Sequence, residues 1–216
     1  MDTITRFQFF DPTQEYFVTY GDLPHWEQPG ATYFITFRTV DSIPRETYRV
    51  WLNERDDWLT RRTGIANAAW HEKVKSLSAV QRREFSRLFH NKLEQYLDQG
   101  LGDCPFRQAE LANVVVNSLR HFDGQRYHLG DFVVMPNHVH LLVCLFKEWR
   151  LRAQCHSWKR YMAREINRLR DTRGCVFQTE SFDHLVRDGD HFEKFRGYIQ
   201  RNPERAGLGA GSYQLG

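Results

Sequence analysis

No stretch of this chain approaches the roughly 20 consecutive apolar residues that a membrane-spanning helix needs. Its first residues, MDTITRFQFFDPTQEYF, also lack the basic-then-apolar plan of a secretory signal. The four cysteines (Cys104, Cys144, Cys155 and Cys175) are scattered and form no C-x-x-C pair. That argues against a thiolate zinc site and for a reducing compartment, so the expected location is cytoplasmic, with no membrane partner. There is no internal repeat and no low-complexity tract. Large net charge is missing too, at +3 overall, but the charge is unevenly placed. From Lys147 to Arg173 nine Lys or Arg face only Glu148, Glu165 and Asp171, a net of +6 that leaves −3 for the remainder. A basic segment in a near-neutral chain points to a local polyanion contact.

What is present is an ordinary globular composition. With 216 residues, 41% of them hydrophobic, the chain is long enough to bury a core as a single domain. The 14% aromatic content suits a core or the stacking of unpaired bases. ATYFITFRTV (31–40) alternates and is β-branched, which predicts a first strand. Tyr48, Trp51, Leu52, Trp58 and Leu59 recur at helical spacing, and the stretch near 60–76 shows no period and reads as a loop. Ser78 and Gln81 form a capping box for a helix that stops near Gly100. A further helix is expected at about 107–121. RYHLGDFVVMPNHVHLLVCLF then reads as a hairpin turning at Pro136-Asn137. In its second arm His138, His140, Leu142 and Cys144 share one face, expected to line a cleft, while Val139, Leu141, Val143 and Leu145 pack under helices. A helix over about 149–170 buries Leu151, Cys155, Trp158, Met162, Ile166 and Leu169. It carries Arg152, His156, Arg160, Arg164 and Arg168 as a ridge at i, i+4 steps, with Lys159 beside it. GCVFQ predicts a short strand, ESFDHLVRDGD a loop or partial strand, and a last helix over about 190–202 is expected to end at Pro203. The sum is an α+β fold with helices on one face of an antiparallel sheet.

Two constellations carry chemistry. His138 and His140, two residues apart on a strand, stand roughly 6.5 to 7 Å apart at Cα and can converge on one cation. Equally, they can be two partly buried histidines with satisfied ring nitrogens. In FRGYIQRNPERAGL (195–208), Tyr198 and Asn202 lie one helical turn apart on the face that also carries His191 and Lys194. A tyrosine hydroxyl can attack phosphorus, and an amide oxygen can join two imidazoles around a metal. A core tyrosine and an Asn-Pro helix stop are the plainer alternatives.

Taken together, VVMPNHVHLLV followed by YIQRNPERAGL, with SWKRYMAREINR and FDHLVRD between them, resembles the single-tyrosine HUH transposases, and within them the REP-associated tyrosine transposases. The resemblance covers 31–40 and 110–208. It implies a ferredoxin-like α+β domain, with 45–106 as a helical insertion or elaboration. It implies His138 and His140 as ligands of a divalent cation, Mg2+ or Mn2+, Tyr198 as nucleophile and Asn202 as a third ligand, where relatives place a longer polar residue such as Gln. Asn137 is read as a turn residue. Asp183 and Arg187 match motif positions and read either as a mutual pair or as DNA contacts. Implied partners are single-stranded DNA hairpins of the repeated extragenic palindrome type, cut and rejoined through a 5′-phosphotyrosine link by a nucleoid-associated enzyme. Arg152, Lys159, Arg160, Arg164, Arg168 and Arg187 would hold the phosphate backbone. Monomer and homodimer both stay open. A hairpin-binding protein without turnover, and a two-histidine hydrolase using water, are the rival readings.

Overall fold

A computed structural model describes residues 3–20 and 24–216. The chain forms two compact units, 1–40 with 104–216, and 41–103. In the first unit the strands β1 (Phe17–Tyr20) and β2 (Pro24–Glu27) make a two-stranded ribbon ahead of β3 (Thr32–Arg38). The second unit holds α1 (Arg45–Thr63), α2 (Trp70–Ser76) and α3 (Ala79–Asp98). The first unit resumes with α4 (Ala109–Arg120), β4 (Tyr127–Val134), β5 (His138–Leu145), α5 (Leu151–Arg170), β6 (Phe182–Leu185), α6 (Gly189–Arg205) and β7 (Gln214–Leu215).

Among the described residues a five-stranded antiparallel sheet runs in the order β6-β3-β5-β4-β7. Without β7 this is the 4-1-3-2 order of a β-α-β-β-α-β ferredoxin-like fold, with α4 and α5 as its crossover helices. The α+β class expected from the sequence is therefore the observed one. Tyr33, Ile35 and Phe37 of β3 and Val139, Leu141 and Val143 of β5 point to one face. They pack there on Leu111, Val115 and Leu119 of α4 and on Leu151, Trp158, Met162 and Ile166 of α5. The opposite face, expected to line a cleft, is covered by a helix along part of its length. Phe34, Leu142 and Cys144 pack under Phe192 and Ile199 of α6. Crossover helices lie on one face as predicted, and α6 adds a layer on the other.

The hairpin between β4 and β5 forms where Pro136-Asn137 predicts it, closed by Met135 N–H to the His138 carbonyl at 2.8 Å. The capping box of α3 is present in both directions, Gln81 N–H to Ser78 Oγ and Ser78 N–H to Gln81 Oε1. Three local expectations fail. Helix α2 occupies part of the stretch read as a loop; at seven residues it is too short to show a period. It is fixed by Lys73, whose buried ammonium donates to Asp56 and to Thr60 Oγ1. GCVFQ contributes only an isolated bridge, Thr39 to Phe177. Helix α6 runs through Pro203 to Arg205. Pro203 lacks the N–H that would reach back to Ile199, but it stands in the last turn, so only one backbone bond is lost and the helix closes two residues on. No helix among the described residues is long and apolar enough to cross a membrane.

The ribbon is fastened by charge. His25 of β2 bonds Glu180 Oε1 through Nε2 at 2.7 Å and Asp183 Oδ1 through Nδ1. Burial works against protonating His25, but the hydrogen bonds and charges of Asp183 and Glu180 win, raising its pKa from 6.5 to about 10. Because the folded-state value lies above the unfolded one, His25 takes up a proton on folding. The stabilisation is complete below about pH 6.5 and is lost as pH rises to about 10. Unfolding free energy from urea titrations is expected to fall across that window, and His25→Gln to flatten the fall. The same slope in the variant would place the proton uptake at another group.

Candidate active site

The side chains singled out on β5 and α6 meet on the α6 face of the sheet. β3 and β5 pair so that Thr36 stands opposite His140. Thr36 Oγ1 is 2.8 Å from His140 Nδ1 and can accept its proton. At the turn end of β5, His138 Nδ1 lies 2.8 Å from Asn137 Oδ1. An amide oxygen only accepts, so His138 carries its proton on Nδ1 and a lone pair on Nε2. A histidine whose far nitrogen is tied to a neighbour in this way is oriented as metal-binding histidines are. Asn137, read from the sequence as a turn residue, thus also orients His138. Thr36 was missed, though a lone hydroxyl within YFITF was its available signal.

Both imidazoles are buried, with ring centroids 4.7 Å apart. Burial drives the His138 pKa from 6.5 down to about 3, with the nearby Asn202 side chain opposing the shift, so the ring is neutral at physiological pH. His138 Nε2 and both polar atoms of the Asn202 side chain are buried, and no direct hydrogen bond of regular geometry engages them. Asn202 itself is 0% exposed. Buried polar atoms bonded this weakly cost up to about 1–3 kcal/mol each and leave room for a further partner. Among the described residues no group of three His, Cys, Asp or Glu side chains is placed to hold a metal. The donor set on offer is two imidazoles and one amide oxygen, which fits a divalent cation with positions left open for substrate oxygens.

The Asn202 amide gives a direct test. Asn202→Leu, similar in volume and without polar atoms, is expected to raise the stability of the metal-free chain by about 1–2 kcal/mol and to weaken Mn2+ binding. Calorimetric unfolding and Mn2+ titration read the two effects. A lower midpoint would mean that the amide is already well bonded in the fold.

Tyr198, half-buried on α6, lies edge-on to His140 at 5.2 Å between ring centroids and to Phe34 at 5.7 Å. The Arg205 guanidinium stands 5.1 Å from the Tyr198 ring centroid. The register of α6 on the sheet is fixed by a device with no sequence signature. A β-bulge shifts the β4–β5 register between Leu129 and Phe132, turning Asp131 toward α6. There Asp131 Oδ2 accepts from Arg196 Nε at 2.7 Å and Gln200 Nε2 at 3.2 Å, two residues to either side of Tyr198. Gly130 lets the chain approach closely at the bulge, since a Cβ there would stand 3.0 Å from Leu142 Cβ and 3.2 Å from the Leu142 carbonyl oxygen, a tight contact.

Most of the residues expected to grip phosphates are placed elsewhere. Helix α5 covers the other face of the sheet, so the exposed Arg152, Arg160, Arg164 and Arg168 lie across it from the histidine pair. Arg164 and Arg168 both pair with Glu165. Lys159 is turned inward, donating to the carbonyls of Gln178 and Thr179 and to Ser181 Oγ. Asp183 pairs with His25 rather than with Arg187. The i, i+4 pairing needed a helix, but 182–185 is a strand, along which four residues span roughly 13 Å. Arg187 is exposed.

No family model matches the chain, and no curated protein matches it. Among solved structures it is similar to one described as "Structure of the REP associates tyrosine transposase bound to a REP hairpin". The identity is 15%, the TM-score 0.44, and the match covers 84% of this chain and 72% of that one.

Proposed function

We propose that the chain is a single-stranded DNA endonuclease and strand transferase that uses Tyr198 as nucleophile and a divalent cation, Mg2+ or Mn2+, as cofactor. The observation that carries this reading is the meeting of His138, His140, Asn202 and Tyr198 on one face of the sheet, with His138 Nε2 and the Asn202 amide buried and lacking regular hydrogen bonds. His138, His140 and Asn202 would hold the cation. When bound there it would supply Lewis-acid polarisation of a phosphate oxygen. Tyr198 Oη forms a bond to the scissile phosphorus as the P–O3′ bond breaks; the phenolic proton is lost and the departing 3′ oxygen takes one up. The product is a 5′-phosphotyrosine link and a free 3′-OH. Attack by a 3′-OH on that phosphorus then reverses the exchange and rejoins the strand. The bond energy stays in the link, so no nucleotide cofactor is needed.

Hairpins of the repeated extragenic palindrome type as substrate follow from the motif resemblance. In this reading the α5 ridge, on the other face of the sheet, engages the backbone away from the cut.

One assay separates the readings. A labelled hairpin oligonucleotide is incubated with the chain and Mn2+ and run on a denaturing gel. The proposal expects a protein–DNA adduct that resists denaturant. Binding without cutting would favour a hairpin-binding protein, and cutting without an adduct a hydrolase that uses water.

A further inference from the structure

A stack of rings leads outward from the histidine pair. His140 lies over Phe34 at 5.4 Å and 18°, Phe34 over Phe195 at 4.3 Å and 7°, and Phe195 over His191 at 4.6 Å and 36°. His184, opposite Phe34 in the sheet register, closes the outer end at 5.2 Å from His191 and 5.5 Å from Phe195. His184, His191 and Phe195 are each half-buried, so the stack reaches the surface. Arg187 and Lys194 are exposed in the same stretch of chain. Of the nearby acids, Asp188 is occupied in capping α6 and Glu193 in pairing with Arg196, which leaves Asp190 against two cations. His191 Nδ1 accepts the Arg187 N–H at 3.3 Å, which fixes the ring plane.

A second exposed aromatic surface lies at the β1–β2 ribbon. On the β1–β2 ribbon Tyr16 and Trp26, 42% and 41% exposed, stack at 5.4 Å. Residues 7–37 contain no Lys or Arg and include Asp11, Glu15 and Glu27, and the arginine that reaches the ribbon, Arg150 over Phe17, is shared with Glu27, so that surface is the less favourable one for a polyanion. The α6 stack combines ring faces with positive charge on the same side of the sheet as Tyr198, the pairing that holds single-stranded nucleic acid.

We propose that the outer end of this stack, His184 and His191 over Phe195 with Arg187 and Lys194 alongside, is a subsite for an unpaired nucleobase of the strand presented to Tyr198. The inference rests on the function proposed above and adds to it where the neighbouring base sits. A base there continues the stack, its sugar-phosphate between the two cations.

The test compares two labelled 12-mers in the absence of metal, one of oligothymidylate and one of abasic sites with the same phosphates. His191→Ala is expected to weaken oligothymidylate binding about tenfold and leave abasic binding unchanged, and His191→Phe to restore the wild-type value. Equal loss on both oligonucleotides overturns the proposal, since the residue would then act through phosphates or the fold. So does a wild type that binds both equally, or a variant that loses nothing. Cleavage plays no part in this readout. A chain that forms no adduct yet prefers bases would keep the subsite and lose the catalytic reading.

Discussion

His140→Ala is expected to abolish Mn2+ binding and to slow covalent adduct formation about a thousandfold, while hairpin affinity changes by no more than about threefold. A thousandfold corresponds to roughly 4 kcal/mol, the scale on which a cation stabilises charge developing on a phosphate. The imidazole is buried in the sheet interior and fixed by Thr36 Oγ1. The α5 ridge is on the opposite face, so the variant leaves the proposed backbone contacts untouched. Some stability is lost as well, about 1–3 kcal/mol, because Thr36 loses its partner. Rates should therefore be compared well below the variant's unfolding temperature. Chelation of the wild type should reproduce the rate loss without the stability loss. A variant that keeps its rate would remove the histidine pair from the chemistry.

Tyr198→Phe is the second large effect. It deletes one oxygen and keeps a ring that packs on Phe34 and His140, so folding and hairpin binding should be unchanged. Adduct formation should fall by about ten-thousandfold or more, since phenylalanine carries no hydroxyl to attack phosphorus. Single-turnover gels and binding isotherms measure the two properties separately. Residual adduct at wild-type rate would assign the nucleophile to another side chain.

Much of this was legible in the sequence because it is periodic. Alternation in 138–145 separated the histidine face from the apolar one, and the turn chemistry of Pro136-Asn137 gave the hairpin. The 3.6-residue spacing put Tyr198 and Asn202 on one side of α6, where the structure also has them near His140 and His138. What was not legible depends on contacts remote in sequence. Nothing local says that α6 covers the histidine face, because that follows from the sheet order and not from α6 itself. The bulge that aims Asp131 at Arg196 requires knowing the β4–β5 register, and the bond from Thr36 to His140 spans 104 residues. Lys159 shows the limit from the other side. Its position beside the basic ridge predicted a phosphate contact, but three oxygens of the following loop hold it inward. The ribbon at 17–27 gave no signal, since its strands are four residues each and its anchor, Asp183, lies 158 residues away from His25.

Covalent joining of Tyr198 to DNA is the step on which the proposed chemistry depends. Its most direct test is to trap the wild-type chain on a hairpin oligonucleotide with Mn2+, digest the denatured adduct with trypsin and nuclease, and locate the nucleotide by tandem mass spectrometry. The expected product is a 5′-nucleotide on the tyrosine of the tryptic peptide 197–201. A nucleotide on any other residue, or cleaved DNA with no nucleotide on protein, would contradict it.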